Sequence, residues 1–397
     1  MDKQISVLVK CNHQNKEYNV EVLDNYLSVN GKGKKTLLLE QNSKDSSYCI
    51  GPITAGRGFH WQKKINITVK GLLKVTNIDN YLFVINEIGL ESYLMSVATS
   101  EMSGDCPISL LEAQTISARS WIIASEEQKH KELDIDACND DCCQRYQGIE
   151  NISKEAESAS IRTRGLFIIN GDNICDARYS KSCGGMSENN ENVWNTTPKT
   201  YLRGVYDGEI NYRPNFSSNI GLINWFHKSP DCYCNNNYVN KNELKNYLGS
   251  VDEKGDYFRW KLTYSKNQLR NIVNDKLNEG FDSIHSLTAL KRGVSGRITQ
   301  LKISGKKNNK TYELDINSEY NIRNALHQEF LYSSAFIINA NSGIISTMDK
   351  ITLSGAGWGH GVGLCQIGAL GMALSGKSTD EILLHYFLHT KIKKLYD

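Results

Sequence analysis

At 397 residues the chain is long for one domain and has ample material for two cores. Its 46 Lys plus Arg stand against 44 Asp plus Glu, and a net charge of +2 excludes the basic footprint of a nucleic-acid binder. The 20 Tyr and 6 Trp offer flat apolar faces with polar edges, although most such rings serve ordinary packing.

In chain order, DKQISVLVKCNHQNKEYNV after Met1 has neither a basic start with a long apolar run nor a spanning helix. Residues 3–85 read as strands. ISVLV, YNVEVL, YLSV, TLLLE, INITVKGLLKV and YLFVINEI are short, rich in β-branched and aromatic residues, and separated by Gly, Asn and Asp. FHWQKKI (59–65) sets His60 beside Trp61, and a structural histidine is the ordinary reading there.

The pattern then turns helical. Leu94, Val97 and Ala98 have helical spacing, the segment breaks at Ser103-Gly104, and Ile108, Leu111, Ile116 and Ile122 form a second apolar period. Pro107 suits the first turn of that second helix, where its missing N–H would have no partner anyway. Glu101 therefore falls in the corner between two packed helices. Most Glu simply face solvent. A carboxylate in such a corner can instead be shielded from water, and desolvation disfavours its charged form, as a general acid requires.

CNDDCCQRYQG (138–148) clusters Cys138, Cys142 and Cys143, with His130 upstream. Three thiolates and an imidazole suit a closed, structural zinc site, while a disulfide or free thiols are the alternatives. Eleven Cys suit an exported protein with some bridges and a metal site. GLFIIN and ICDARYS (165–180) return to strands and lead to Cys183 and the paired Gly184-Gly185, which let backbone pass close to another surface.

Over 208–300, WFHKSPDCYCNNNYV reads as loop, and YSKNQLRNIVNDKLNEG as an amphipathic helix through Leu269, Ile272, Val273 and Leu277. RITQLKIS and KTYELDI make a hairpin. GAGWGHGVGLCQIGALGMA begins as a turn-rich loop carrying His360 and is expected to become helical near Val362. Ser378, with Glu381 three residues on, forms a capping box for a last helix.

Three blocks in order resemble the SpoIID/LytB family. They are YLMSVATSEM…CP…AQTISARSW, YSKSCGGMSENNENVWN with YLRGVYD, and GAGWGHGVGLCQIGALGMALSGKSTDEILLHYF. Cys106 departs from the family's usual Trp, and Cys142 stands where the family prefers His. The resemblance implies a lytic transglycosylase of peptidoglycan in which Glu101 is the general acid and base. Its substrate would be peptidoglycan glycan strands, cut between N-acetylmuramic acid and N-acetylglucosamine to leave 1,6-anhydro ends.

It also directs substrate binding to Tyr179, Cys183, His360 and Gln366, and zinc to Cys138, Cys142, Cys143 and His130, with no cofactor needed for the chemistry. A non-catalytic, peptidoglycan-binding amidase enhancer, partnered by a cell-wall amidase, is the alternative. A thiol enzyme using Cys183 or Cys365 with His360 is a further rival. The family works outside the cytoplasm, so an extracytoplasmic location is expected, with any signal or anchor absent from this chain. The expected fold class is α+β, with mixed β-sheets, helices gathered to one side and an inserted smaller lobe. Its divisions are a β-rich region (1–80), the first part of the core (81–207), the insertion (208–300) and the closing part of the core (301–397).

Overall fold

The computed structural model describes residues 6–12, 14, 16–40, 43, 46–57, 62–127, 129–140, 142–210, 212–249, 255–338, 342–347 and 349–397. His60 and Trp61 lie outside them. The fold is α+β, as expected, and divides into two compact units: residues 1–165 with 246–252 and 396–397, and residues 166–245 with 253–395. Residues 208–300 thus contribute mainly to the second unit and carry strands of its sheets.

The first unit begins with β1 (Ser6–Cys11), β2 (Lys16–Leu23), β3 (Tyr26–Val29), β4 (Lys32–Lys34), β5 (Thr36–Leu39), β6 (Tyr48–Ala55), β7 (Lys63–Val69), β8 (Leu72–Ile78) and β9 (Tyr81–Glu87). They form an antiparallel sheet of order β4-β3-β2-β1-β6-β7 and a smaller one of order β5-β8-β9. Alternation buries Val7 and Val9 of β1, and Leu73 and Val75 of β8, in one cluster with Val20, Leu27 and Val69. Asp79 and Asn80 both take left-handed φ, as the two-residue turn between β8 and β9 requires.

Helices α1 (Leu90–Glu101), α2 (Ile108–Ala124) and α3 (Lys154–Arg162) follow. Pro107 is the capping residue of α2, one place before the expected first turn. Ser153 caps α3 by accepting the Ala156 N–H. The helices are tied by a buried pair. Arg119 of α2, with no exposed side-chain surface, donates through Nε (2.9 Å) and Nη2 (2.7 Å) to the two oxygens of Glu91 in α1.

The second unit opens with β10 (Leu166–Asn170), β11 (Asn173–Ile174), β12 (Tyr179–Ser180), α4 (Glu191–Trp194), α5 (Asn219–His227) and α6 (Lys241–Tyr247). It continues through β13 (Arg259–Ser265), α7 (Lys266–Leu277), β14 (Ser283–Arg292), β15 (Ile298–Lys307), β16 (Lys310–Asn317), α8 (Glu319–Ala325), β17 (Phe336–Ile338) and β18 (Lys350–Ala356). β19 (Leu364–Cys365), α9 (Gln366–Leu374), α10 (Thr379–Tyr386) and β20 (Lys391–Lys394) complete it. Sheets β13-β18-β17 and β14-β15-β16 share a core with α7, through Leu269, Val273, Leu287, Leu301, Ile303, Phe336 and Leu353. β12 and β19 pair in parallel as a two-stranded sheet of their own, while the other named strand pairs are antiparallel.

Trp225, Phe226 and His227 belong to α5 rather than to a loop. The helix of the Gly-rich block starts at Gln366, not near Val362. The reason is backbone geometry: Gly357, Gly359, Gly361 and Gly363 all adopt positive φ, so a helix cannot begin among them. The capping box at Ser378 and Glu381 is present in full. Among the described residues no two cysteines are joined by a disulfide, so the bridges that the cysteine count suggested are not formed there.

Candidate active site and metal centre

Glu101 ends α1 with only 8 % of its surface exposed. Its Oε1 accepts the backbone N–H of Arg145 at 3.0 Å. The segment from Cys143 to Gly148 is laid along this end of α1 by further bonds. The Gln147 N–H donates to Ser100 Oγ (3.1 Å), and the Tyr93 hydroxyl donates to Gln144 Oε1 (2.9 Å). Gln144 Nε2 donates to the Ala118 carbonyl of α2 (3.2 Å). Tyr146 stacks on Tyr93 at 5.4 Å and donates to Asn86 Oδ1 at 2.8 Å. Gly148 takes φ +76°, and a Cβ there would lie 2.2 Å from the Thr68 carbonyl oxygen. Glu101 therefore sits in a corner between helices, as its spacing predicts, with a third segment closing over it.

The motif residues around Glu101 build the corner rather than join its chemistry. Arg119 holds Glu91, and Gln114 and Ser117 are fully buried. Burial alone would raise the Glu91 carboxyl, but hydrogen bonds from Arg119 and Tyr396 and the Arg119 charge draw it below its usual value.

The segment that contacts Glu101 starts in the cysteine cluster. His130, Cys138, Cys142 and Cys143 bring one ligand atom each within 4.8 Å of one another. Cys138 and Cys142 Sγ are 2.9 Å apart, Cys142 Sγ is 3.8 Å from His130 Nε2, and Cys142 and Cys143 Sγ are 4.0 Å apart. Hydrogen bonds from the Cys138 and Cys142 thiols pull Cys143 far below the usual thiol range, while the contacts with Cys142 and Cys143 push Cys138 up. Asp140, within the same turn, accepts the Gly56 and Arg57 N–H groups at 2.9 and 3.1 Å, which pins the turn to the end of β6. Soft sulfur donors and one imidazole within 4.8 Å of one another suit a closed, structural zinc site in ligand type, while Cys138 and Cys142 Sγ stand closer than the roughly 3.8 Å between two zinc-bound sulfurs.

The expected substrate contacts lie in the second unit. Tyr179 and His360 are half-buried, while Cys183 and Gln366 are buried. Burial and the charges of Arg178, Arg297 and Arg323 push the His360 imidazole well below its usual value, against a hydrogen bond to the Tyr179 backbone. His360 meets the edge of Trp194 at 4.8 Å, and the Arg178 guanidinium lies 4.4 Å from the Trp194 ring. Glycines shape this loop. A Cβ on Gly361 would fall 2.3 Å from the guanidinium carbon of fully buried Arg297. Cys183 and Cys365 lack the exposure that a nucleophilic thiol needs, and burial pushes both up.

Arg145 was not legible as a partner of Glu101, because its contribution is a backbone N–H that carries no side-chain signature.

Residues 79–169, which hold Glu101 and the His130 cluster, match the family model described as Stage II sporulation protein, SpoIID. Residues 188–363 match a domain of unknown function. The chain is 25 % identical to the Stage II sporulation protein D of Bacillus amyloliquefaciens over 321 residues, covering 76 % of this chain and 74 % of that one. It is 23 % identical to the Bacillus subtilis protein of the same name, covering 78 % and 76 %. An uncharacterized protein of Brachyspira hyodysenteriae is 29 % identical over 323 residues, 80 % of this chain and 70 % of its own. The chain is thus similar to the SpoIID family over residues 79–169 and to two Stage II sporulation D proteins over about three quarters of its length. Among the described residues no helix is long and apolar enough to cross a membrane.

Proposed function

We propose that the protein acts on the cell wall outside the cytoplasm as a lytic transglycosylase of peptidoglycan, with Glu101 as its acid and base. The observation that carries this reading is the placement of Glu101: a carboxylate in a three-sided corner, held at one oxygen by the Arg145 N–H, inside the SpoIID match. Protonated, Glu101 gives its proton to the glycosidic oxygen between N-acetylmuramic acid and N-acetylglucosamine. The C1–O bond breaks and an oxocarbenium-like state forms. The resulting carboxylate takes the proton of the same sugar's C6 hydroxyl, whose oxygen closes the 1,6-anhydro ring. Capture by a tethered hydroxyl needs no second carboxylate to activate water, unlike paired-acid hydrolysis, and intramolecularity lowers its entropic cost.

His130, Cys138, Cys142 and Cys143 would hold zinc as a crosslink. Bound there, the ion would fix the start of the segment whose Arg145 N–H meets Glu101, with no role assigned to it in the reaction. Tyr179 and His360 would contact the glycan.

Mass spectrometry of products from purified glycan strands tests the reading. Wild type should release anhydro-ended fragments, lighter by one water than hydrolysis products. Glu101→Gln keeps the shape but delivers no proton, so it should bind glycan and cleave about 10²–10⁴-fold more slowly. Reducing-end products would make the protein a hydrolase. Glycan binding without cleavage by wild type would favour the amidase-enhancer alternative, which the deep burial of Glu101 also suits.

A further inference from the structure

The second unit holds another set of metal-type ligands that the reaction does not use. Cys183 Sγ, a carboxylate oxygen of Asp207, Cys234 Sγ and Cys365 Sγ all lie within 4.8 Å of one another. The four residues come from distant stretches: Cys183 follows β12, Asp207 precedes α5, Cys234 lies between α5 and α6, and Cys365 ends β19. None is more than 3 % exposed.

From this geometry we infer that Cys183, Asp207, Cys234 and Cys365 form a structural zinc site within the second unit, separate from the His130 cluster. The distances support a single ion. A zinc–sulfur bond of about 2.3 Å sets a tetrahedral S···S edge of about 3.8 Å, and Cys183 and Cys234 Sγ are 3.9 Å apart. A disulfide would need about 2.05 Å.

The surroundings are those of ligands already oriented. The Cys365 sulfur accepts the N–H groups of Cys183 (3.1 Å) and of Gly368 in the first turn of α9 (3.3 Å). Asp207 Oδ1 accepts the Tyr386 hydroxyl at 2.5 Å, and Oδ2 accepts the Cys234 N–H at 2.9 Å. Such outer hydrogen bonds fix ligand direction in metal sites. A Cβ on Gly368 would lie 2.4 Å from Asp207 Oδ1, so glycine permits the approach.

Charge argues the same way. All four side chains are buried, so three thiolates and a carboxylate in this dry setting are costly unless a cation sits among them. Three thiolates select a soft or borderline metal, and the carboxylate favours zinc over copper(I). Binding would displace the protons of the three thiols, and four protein ligands leave no open position for catalysis. The ion would clasp the chain on both sides of the 188–363 domain to its interior, since Cys183 and Cys365 flank that match while Asp207 and Cys234 lie within it.

The test separates the two clusters. Full-length Cys138→Ser/Cys142→Ser/Cys143→Ser protein, purified and equilibrated with zinc sulfate and then freed of loose metal, should retain one equivalent of zinc. Replacement by cobalt(II) should give thiolate charge-transfer absorption. Adding Cys183→Ser and Cys234→Ser should abolish both signals. If the triple variant does not fold, native mass spectrometry decides instead: wild type should carry one more zinc than Cys183→Ser/Cys234→Ser. A metal-free folded triple variant, an equal zinc count in that comparison, or a stoichiometric metal other than zinc would overturn the inference. Because the readout is metal content, it can fail while the transglycosylase reading stands.

Discussion

The Arg119 guanidinium and the Glu91 carboxylate illustrate how much rests on single side chains. Arg119 is fully buried, and its charge is met by two short hydrogen bonds to Glu91. Arg119→Ala would leave a carboxylate in the helix interface without its counter-charge, at a cost of about 3–5 kcal/mol, measurable as a lower urea midpoint. The pair also sets a pH dependence. Because the Glu91 carboxyl is drawn below its usual value in the fold, its contribution is fully present above the unfolded value. That contribution is lost as pH falls through the depressed folded one. Urea midpoints taken across the acidic range should therefore drop less steeply for Glu91→Gln than for wild type. The corner that holds Glu101 was legible because helical periodicity on either side of Ser103-Gly104 located it, while the proposed acid role rests on the family resemblance. The restraint on Glu101 was not legible, since it comes from a backbone amide 44 residues away.

At the scale of elements, local chemistry governs where the chain turns and what it tolerates. Ser378 accepts the Glu381 N–H, and Glu381 returns a bond to the Ser378 N–H. Ser378→Ala should cost about 0.5–2 kcal/mol by thermal unfolding. Two glycines make a sharper comparison. Gly376 has φ +84° and nothing within 4 Å of an added Cβ, so Gly376→Ala carries only the left-handed backbone penalty of about 1–2 kcal/mol. Gly361, at φ +76°, would in addition press its Cβ into the Arg297 guanidinium. Gly361→Ala should therefore lower the melting temperature well beyond Gly376→Ala, by a further overpacking cost of about 1–3 kcal/mol. Helix α7 and the β15–β16 hairpin were legible because their apolar periods lie within one element. β6 was not among the segments named as strands, since YCIGPITA carries Gly and Pro, which weaken a strand pattern. β14 and α5 were missed for want of a clean period, their burial being set by neighbours distant in sequence.

For the whole molecule, zinc at the two cysteine clusters, as proposed, would make metal content a variable of the fold. Chelation, or Cys142→Ser with Cys143→Ser, should remove the zinc proposed for the His130 cluster and quicken amide exchange over residues 143–148, the segment that meets Glu101. Hydrogen exchange with mass spectrometry reads this directly, whatever the activity does. The sequence by itself determined the strand-rich start, the helix pair around Glu101, the capping box and the grouping of Cys138, Cys142 and Cys143. Each depends on residues within a few turns of one another, where periodicity, backbone freedom and side-chain type act locally. Only the tertiary structure decided that Cys183 and Cys365, 182 residues apart, meet, and that Asp207 and Cys234 join them. Ligands gathered from four separate stretches leave no spacing to read, because loop closure and sheet pairing, not local preference, set which segments come together.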